Sequence, residues 1–238
     1  MISIILPTYN ERENVACIIP ELEELITRQK WNAEILIVDD TSPDGTADVV
    51  RKFQKKYKNV RLILRKKKEG PGAAMKEGYD KAKGDIMVSL DADFLYTDDI
   101  PRLLAKLAEG YDFVVGARNI PGGGYEEKDL KTTLKIKLFS LPGNLFTRFL
   151  FPIGVTDFTH NFRALRKGMW KKIQIEEKGN AFFLETIIRV HAANGRIGQI
   201  PVFFRDRISG ESKLNFSQQV PRYFFKLLEW RLKLWFQK

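Results

Sequence analysis

The sequence holds a single cysteine, Cys17, and only two histidines, His160 and His191, among 238 residues. One thiol excludes an intrachain disulfide and any cysteine-rich metal site, and it fits a reducing compartment. No apolar run approaches the about 20 residues that a membrane-spanning helix needs. The apolar segment Ile2 to Leu6 has neither a basic stretch nor a small-residue cleavage site before it, so no signal peptide is expected. Internal repeats and low-complexity stretches are also missing.

What is present points to one compact α/β domain with a substantial core, since 44% of residues are hydrophobic and 29% charged. Lys and Arg outnumber Asp and Glu by 40 to 30, a net charge of +10. Such an excess implies an anionic partner: nucleic acid, anionic lipid or a phosphorylated substrate. Residues 51–68 concentrate it, with ten basic side chains and no acid, and read equally as a solvated face.

Strand patterns at 2–6, 34–38, 60–64, 85–90 and 112–117 alternate with helical patterns at about 12–29, 46–57, 72–82 and 99–109. This alternation predicts a three-layer sandwich with a mostly parallel central sheet. Thr97-Asp98-Asp99 before Ile100-Pro101 predicts a helix start, with Asp98 and Asp99 as caps. The pattern breaks at Pro121-Gly122-Gly123-Gly124, so 121–131 is expected to be a mobile loop and a candidate lid. Helical stretches at about 131–141 and 144–151 follow, in a zone made basic by Lys128, Lys131, Lys135, Lys137 and Arg148. A helix at about 181–194 then leads to a strand at 197–204. From 216 onward, Arg222, Lys226, Glu229 and Lys233 share one helical stripe, with Val220, Phe224, Leu227, Leu228 and Trp235 opposite. An aromatic, basic helix of this kind suits a membrane interface, and it suits packing on the core equally well.

The chemistry concentrates at Asp91-Ala92-Asp93, just after the apolar run 85–90. Alternation along an extended chain lets Asp91 and Asp93 point one way and Ala92 the other. Two close carboxylates repel unless a cation lies between them, and hard divalent ions take such oxygens together with substrate phosphates. Ligands of open α/β sheets bind outside the carboxyl ends of the strands. Two further segments leave strand ends and open helices: Pro7-Thr8-Tyr9-Asn10-Glu11-Arg12-Glu13-Asn14, and Val38-Asp39-Asp40-Thr41-Ser42-Pro43-Asp44-Gly45-Thr46. Asp44 and Thr46 are accounted for as turn and capping residues.

With Gly116-Ala117-Arg118, Asn161-Phe162-Arg163-Ala164 and Asp206-Arg207 to Leu214, these segments resemble the family 2 glycosyltransferases. Within that family they are most similar to the dolichyl-phosphate mannose synthases and related polyprenyl-phosphate glycosyltransferases. The resemblance spans nearly the whole chain and implies a GT-A fold over 1–215. It divides into a nucleotide-binding half, 1–100, and an acceptor half, 101–215, with an amphipathic membrane-interface helix at 216–238. It further implies a nucleotide-sugar donor, a dolichyl or polyprenyl phosphate acceptor, and Mg²⁺ or Mn²⁺ as cofactor. Pro7, Tyr9, Glu11, Val38 and Asp40 would hold the nucleoside, and Asp91, Ala92 and Asp93 would form the diphosphate-binding turn. Asp91 and Asp93 would bind the metal, Arg118, Arg207 and Lys213 phosphate oxygens, and Ser140 the acceptor phosphate.

Three positions depart from the family's commoner pattern: Leu95 offers no third ligand, Ile136 stands near Ser140 in place of an arginine, and 157–163 reads Asp-Phe-Thr-His-Asn-Phe-Arg. His160 and Glu185 are further candidates for substrate contact, whereas His191 reads as structural. The function expected is inverting sugar transfer, most simply of mannose from GDP-mannose, by a peripheral enzyme on the cytoplasmic membrane face. A membrane-embedded partner subunit is compatible with this. UDP-glucose or another family 2 acceptor is the alternative. The remaining rivals are a lipid-surface scaffold without activity and a basic nucleic-acid-binding protein, and the acidic strand ends argue against the latter.

Overall fold

A computed structural model describes residues 1–93, 97–125, 141–204 and 216–236. Strands β1 (Ile2–Thr8), β2 (Ala33–Asp39), β3 (Val60–Leu64), β4 (Ile86–Ser89) and β5 (Phe113–Ala117) fall where apolar alternation places them. Between them run helices α1 (Arg12–Arg28), α2 (Thr46–Lys56), α3 (Pro71–Lys81) and α4 (Ile100–Ala108). The second half adds β6 (Gly124–Tyr125), α5 (Leu141–Leu150), β7 (Arg163–Arg166), the short α6 (Lys167–Trp170), α7 (Ala181–Ala192), β8 (Ile197–Pro201), β9 (Phe203–Phe204) and α8 (Phe216–Phe236).

Seven strands form one sheet in the order β3-β2-β1-β4-β7-β5-β8. All neighbours are parallel except β7, which runs antiparallel to both β4 and β5. The period-2 pattern divides the core into two layers. Ile5, Leu36, Val38, Phe113 and Val115 pack with Tyr79 of α3, Phe182 and Ile187 of α7, and Leu227 and Trp230 of α8. Ile4, Leu6, Ile35, Ile37 and Val114 pack with Ile18 and Leu22 of α1, Val50 of α2, and Leu103 and Leu107 of α4. The result is the expected three-layer sandwich.

Two local expectations are corrected. Asp98 and Asp99 make no side-chain cap; a 3₁₀ turn precedes α4, and these acids pair with Arg28 and Arg102 instead. The expected strand 197–204 is broken at Val202, whose N–H donates to Ala117 O at 3.0 Å and whose carbonyl accepts from Gly124 N at 3.1 Å. Phe203–Phe204 thereby leaves the main sheet and pairs in parallel with Gly124–Tyr125. The glycine run is thus tied down by packing where it begins. A Cβ on Gly123 would stand 2.6 Å from Ala117 O, and Gly122 has φ +82°. Residues 126–140, including the rest of the expected lid and all but the last residue of the expected 131–141 helix, lie outside the described residues.

The C-terminal helix is anchored through its expected charged stripe, but of the expected apolar stripe only Leu227 is buried among the described side chains, and Trp230, which belongs to neither stripe, supplies the other buried anchor. Leu227 and Trp230 are buried, while Lys226 and Lys233 reach the acidic loop before α7, at Glu177 (3.0 Å) and Glu176 (3.2 Å). Phe224 is exposed yet stacks on Phe146 of α5 at 4.8 Å.

Candidate functional site

Strand register assembles the site. β1, β2 and β4 are parallel neighbours, with Thr8 opposite Asp39 and Ile5 opposite Ser89. Neighbouring strands stand about 4.8 Å apart. The segments that follow, carrying Tyr9 and Glu11, Asp40, and Asp91 and Asp93, therefore emerge side by side at one edge. Burial after β4 follows the expected alternation: Asp91 and Asp93 are half-buried, and Ala92 is buried in the same core layer as Leu90.

The antiparallel β7 brings a fourth segment to this edge. Arg163 stands opposite Ser89 of β4 and Val115 of β5, so residues 157–162 enter where β4 leaves. Asn161 Nδ2 donates to Asp91 Oδ1 at 2.8 Å. Asn161 is buried, and its Oδ1 has no hydrogen-bond partner among the described residues. β5 ends at the same edge, and there Arg118 donates through Nε and a terminal nitrogen to the two oxygens of Asp157, at 2.6 and 2.9 Å. Burial alone pushes the Asp157 carboxyl up, but the Arg118 charge and hydrogen bonds bring it down to about 2.

The loops after β1 and β2 are locked by Asp39, which is fully buried. It accepts from Thr8 Oγ1 at 3.0 Å, Ser42 N at 2.9 Å and Ser42 Oγ at 2.6 Å, and Ser42 Oγ accepts Asn10 N at 2.9 Å. Asp44 accepts Thr46 N and Arg12 N as a turn residue does, but the N-cap of α2 is Gly45 with no side-chain capping bond, so the capping expected of Asp44 and Thr46 is corrected. Thr41, a β-branched residue, has φ +58°, and its hydroxyl donates to Arg65 O at 2.5 Å. A non-glycine residue held in that region marks a backbone fixed by its surroundings, as is common at functional sites.

Several expected roles are modified by geometry. Val38 is fully buried, with its side chain in the core beneath α3, so only its main chain can meet a nucleoside. Asp40 is committed on both oxygens: Oδ1 accepts from Arg65 and Oδ2 from Gly70 N at 3.3 Å. Arg118 is engaged by Asp157 and Thr159, which restricts it as a phosphate ligand. His160 is buried, its Nδ1 accepts Phe162 N at 3.0 Å, and burial followed by the Arg118 charge holds its pKa down at about 3. It is a neutral structural group. Glu185 is fully buried on α7, accepts Glu176 N and Glu177 N at 3.1 and 2.9 Å, and pairs with Arg189. It clasps a loop rather than facing a sugar. His191 is exposed in the last turn of α7. Pro7 is half-buried, and Glu11 Oε2 accepts Asn14 Nδ2 at 2.5 Å. Ser140, Arg207, Lys213, Leu95 and Ile136 lie outside the described residues.

Sequence reasoning missed Arg65. Within the basic run it looked like one more solvated cation, yet its side chain is buried and pairs with Asp40, Glu69 at 2.9 Å and Glu77 at 3.0 Å. The signal for it was the acids at Glu69 and Glu77, four and twelve residues on. Lys68, close by, stands 3.5 Å from the centre of the Tyr9 ring.

The family model described as glycosyl transferase family 2 matches residues 3–174. A dolichol-phosphate mannosyltransferase of Pyrococcus furiosus is 32% identical over 96% of this chain and 64% of its own length. This chain thus spans about two thirds of that relative. An undecaprenyl-phosphate mannosyltransferase of Micrococcus luteus is 32% identical over 89% of this chain and 86% of its own. Among solved structures, glucosyl-3-phosphoglycerate synthase of Mycobacterium tuberculosis, in complex with Mn²⁺, UDP and glucosyl-3-phosphoglycerate, aligns at TM-score 0.71 and 19% identity, over 95% of this chain and 79% of that one. Mannosyl-3-phosphoglycerate synthase of Rubrobacter xylanophilus aligns at TM-score 0.70 and 23% identity, over 100% of this chain and 75% of that one.

Proposed function

The chain belongs to glycosyl transferase family 2, and from that premise we propose that it moves a hexose from a nucleoside diphosphate sugar to a polyprenyl phosphate. It is a glycosyltransferase of GT-A fold. GDP-mannose with dolichyl phosphate is the favoured pair, in keeping with the relatives' names, and UDP-glucose is the competing donor. The observation that carries the reading is the strand register, which gathers Tyr9, Asp40, Asp91 and Asp93 on one sheet edge.

The donor set suits Mg²⁺ or Mn²⁺. Asp91 and Asp93 offer hard carboxylate oxygens, and among the described residues no third acid, histidine or cysteine joins them. When bound, such an ion would offset charge on the departing diphosphate. The chain's own residues do the rest. Tyr9, Glu11 and the Val38 main chain would line the nucleoside pocket; Asp40, held by Arg65 and Gly70 N, would accept from a base N–H through a second lone pair of one of its oxygens. Arg207 and Lys213 would meet phosphate oxygens, and Ser140 the acceptor phosphate. Arg118 acts through Asp157, fixing the loop that carries Asn161.

The acceptor needs no strong base, because a phosphate monoester is already ionised near neutrality, with a second pKa of about 6. One acceptor oxygen bonds to the anomeric carbon as the bond from that carbon to the nucleoside diphosphate breaks, so the configuration inverts. The enzyme aligns the two and stabilises the leaving group.

Attachment to the membrane surface is proposed through α5 and α8. No helix among the described residues is long and apolar enough to cross a membrane. Phe149 is 82% exposed and Phe225 69%, with Leu145 and Leu232 also exposed and Arg148 and Arg231 beside them. Exposed apolar side chains next to cations suit the interface of an anionic bilayer.

The test is transfer itself. The full chain is incubated with labelled GDP-mannose, and separately UDP-glucose, plus polyprenyl phosphate in vesicles. Label from GDP-mannose should enter the lipid fraction. No transfer from either donor would overturn the proposed function.

A further inference from the structure

We propose that Asn161 supplies its side-chain amide oxygen as a ligand to the divalent cation held by Asp91 and Asp93. The proposal rests on the functional reading above and adds a protein ligand to that site.

Asn161 is fixed in place by β4. Ser89 Oγ donates to the Asn161 carbonyl at 2.9 Å, and the same hydroxyl pairs with the buried Tyr79 OH at 2.9 Å. Its side chain, 3% exposed, ends 2.8 Å from Asp91 Oδ1. The contact uses the amide nitrogen, while the amide oxygen is buried with no partner among the described residues. Buried carbonyl oxygens almost always find a donor or a cation. An amide oxygen is also the hard donor that Mg²⁺ and Mn²⁺ accept.

The two ends of the amide are nearly equal in shape, and the last torsion is roughly two-fold. A half-turn brings the oxygen to face Asp91 Oδ1. Two such oxygens repel unless a cation lies between them. Neighbouring ligands of an octahedral ion with bonds of about 2.1 Å stand about 3 Å apart, close to the observed contact. Leu95, two residues beyond Asp93, carries no side-chain oxygen. Among the described residues, Asn161 is a polar side chain that the fold delivers to this place.

The test titrates Mn²⁺ into the full chain with GDP, and in parallel with UDP, and follows bound Mn²⁺ by electron paramagnetic resonance. Line broadening in ¹⁷O-water counts the water ligands on the bound ion. Asn161→Ala and Asn161→Gly should bind Mn²⁺ at least about ten-fold more weakly, and the ion should gain one water. Asn161→Asp, which keeps an oxygen there, should retain the wild-type water count and guards against loss of fold in the other two. Unchanged affinity in the folded Ala or Gly variant would overturn the proposal. So would weaker binding with the wild-type water count, because Asn161 would then only position Asp91. If the unsubstituted chain bound Mn²⁺ with neither nucleotide, the functional reading would fall and the proposal with it.

Discussion

Arg118 closes two nitrogens on the two carboxylate oxygens of Asp157, at 2.6 and 2.9 Å, across 39 residues of sequence. The pair joins the end of β5 to the segment that delivers Asn161, and His160 is buried beside it. The sheet edge proposed to take anionic substrates thus has its own internal ion pair holding the loop in shape.

Acid should loosen this region. The folded protein holds His160 near pKa 3, against about 6.5 when unfolded. Below pH 6.5 the unfolded chain takes up a proton that the folded chain refuses, so stability falls as pH drops toward 3. Asp157, held near 2 against 3.8, contributes about 2 kcal/mol that is present above pH 3.8 and lost below it. Urea melts in chelator between pH 7 and 4 should show the first loss, and His160→Asn should flatten it. Parallel curves for the two proteins would contradict the assignment.

Arg65→Met should unfold the protein more easily by about 3 kcal/mol, since it leaves the buried Asp40 carboxylate without its cation. Nucleotide affinity should fall with it. The same change at Arg51, an exposed residue paired with Asp48, should cost less than about 0.5 kcal/mol. Denaturant midpoints for the two variants check the contrast, and equal losses would refute the role given to Arg65.

Glu185 separates a structural acid from a catalytic one. Glu185→Ala strips two backbone N–H groups and Arg189 of their acceptor and should cost about 2 kcal/mol. Glu185→Gln keeps an acceptor oxygen and should retain kcat within about two-fold. A loss of kcat of two orders of magnitude in the folded Gln variant would place Glu185 in the chemistry.

Membrane attachment is better tested by surface changes than by truncation, because removing 216–238 would also remove the buried Leu227 and Trp230. Phe149→Ser with Phe225→Ser should reduce flotation with anionic vesicles several-fold while leaving thermal stability within about 0.5 kcal/mol. Undiminished flotation would exclude this face as the attachment surface.

The first half was legible because its buried parallel strands carry short apolar runs closed by turn residues, as in Ile35 to Val38 before Asp39. The second half was less so. β7 reads Arg-Ala-Leu-Arg, with no strand-like run, and its place between β4 and β5 depends on partners far away in sequence. Asp91 and Asp93 were legible from their position after β4. The Asn161 contact was not, because it exists only once an antiparallel strand returns to that edge. Arg65 and Glu185 were misjudged for one reason: sequence shows a charge, and only packing shows whether its partner is water or another buried group.

The most direct test of the account is calorimetry of GDP-mannose binding, with Mn²⁺ and with EDTA, for the unaltered chain and Asp91→Asn. The account predicts binding that needs Mn²⁺ and is lost in the variant while its fold persists. Equal binding by both proteins, or binding indifferent to EDTA, would contradict the metal-assisted diphosphate site on which the account rests.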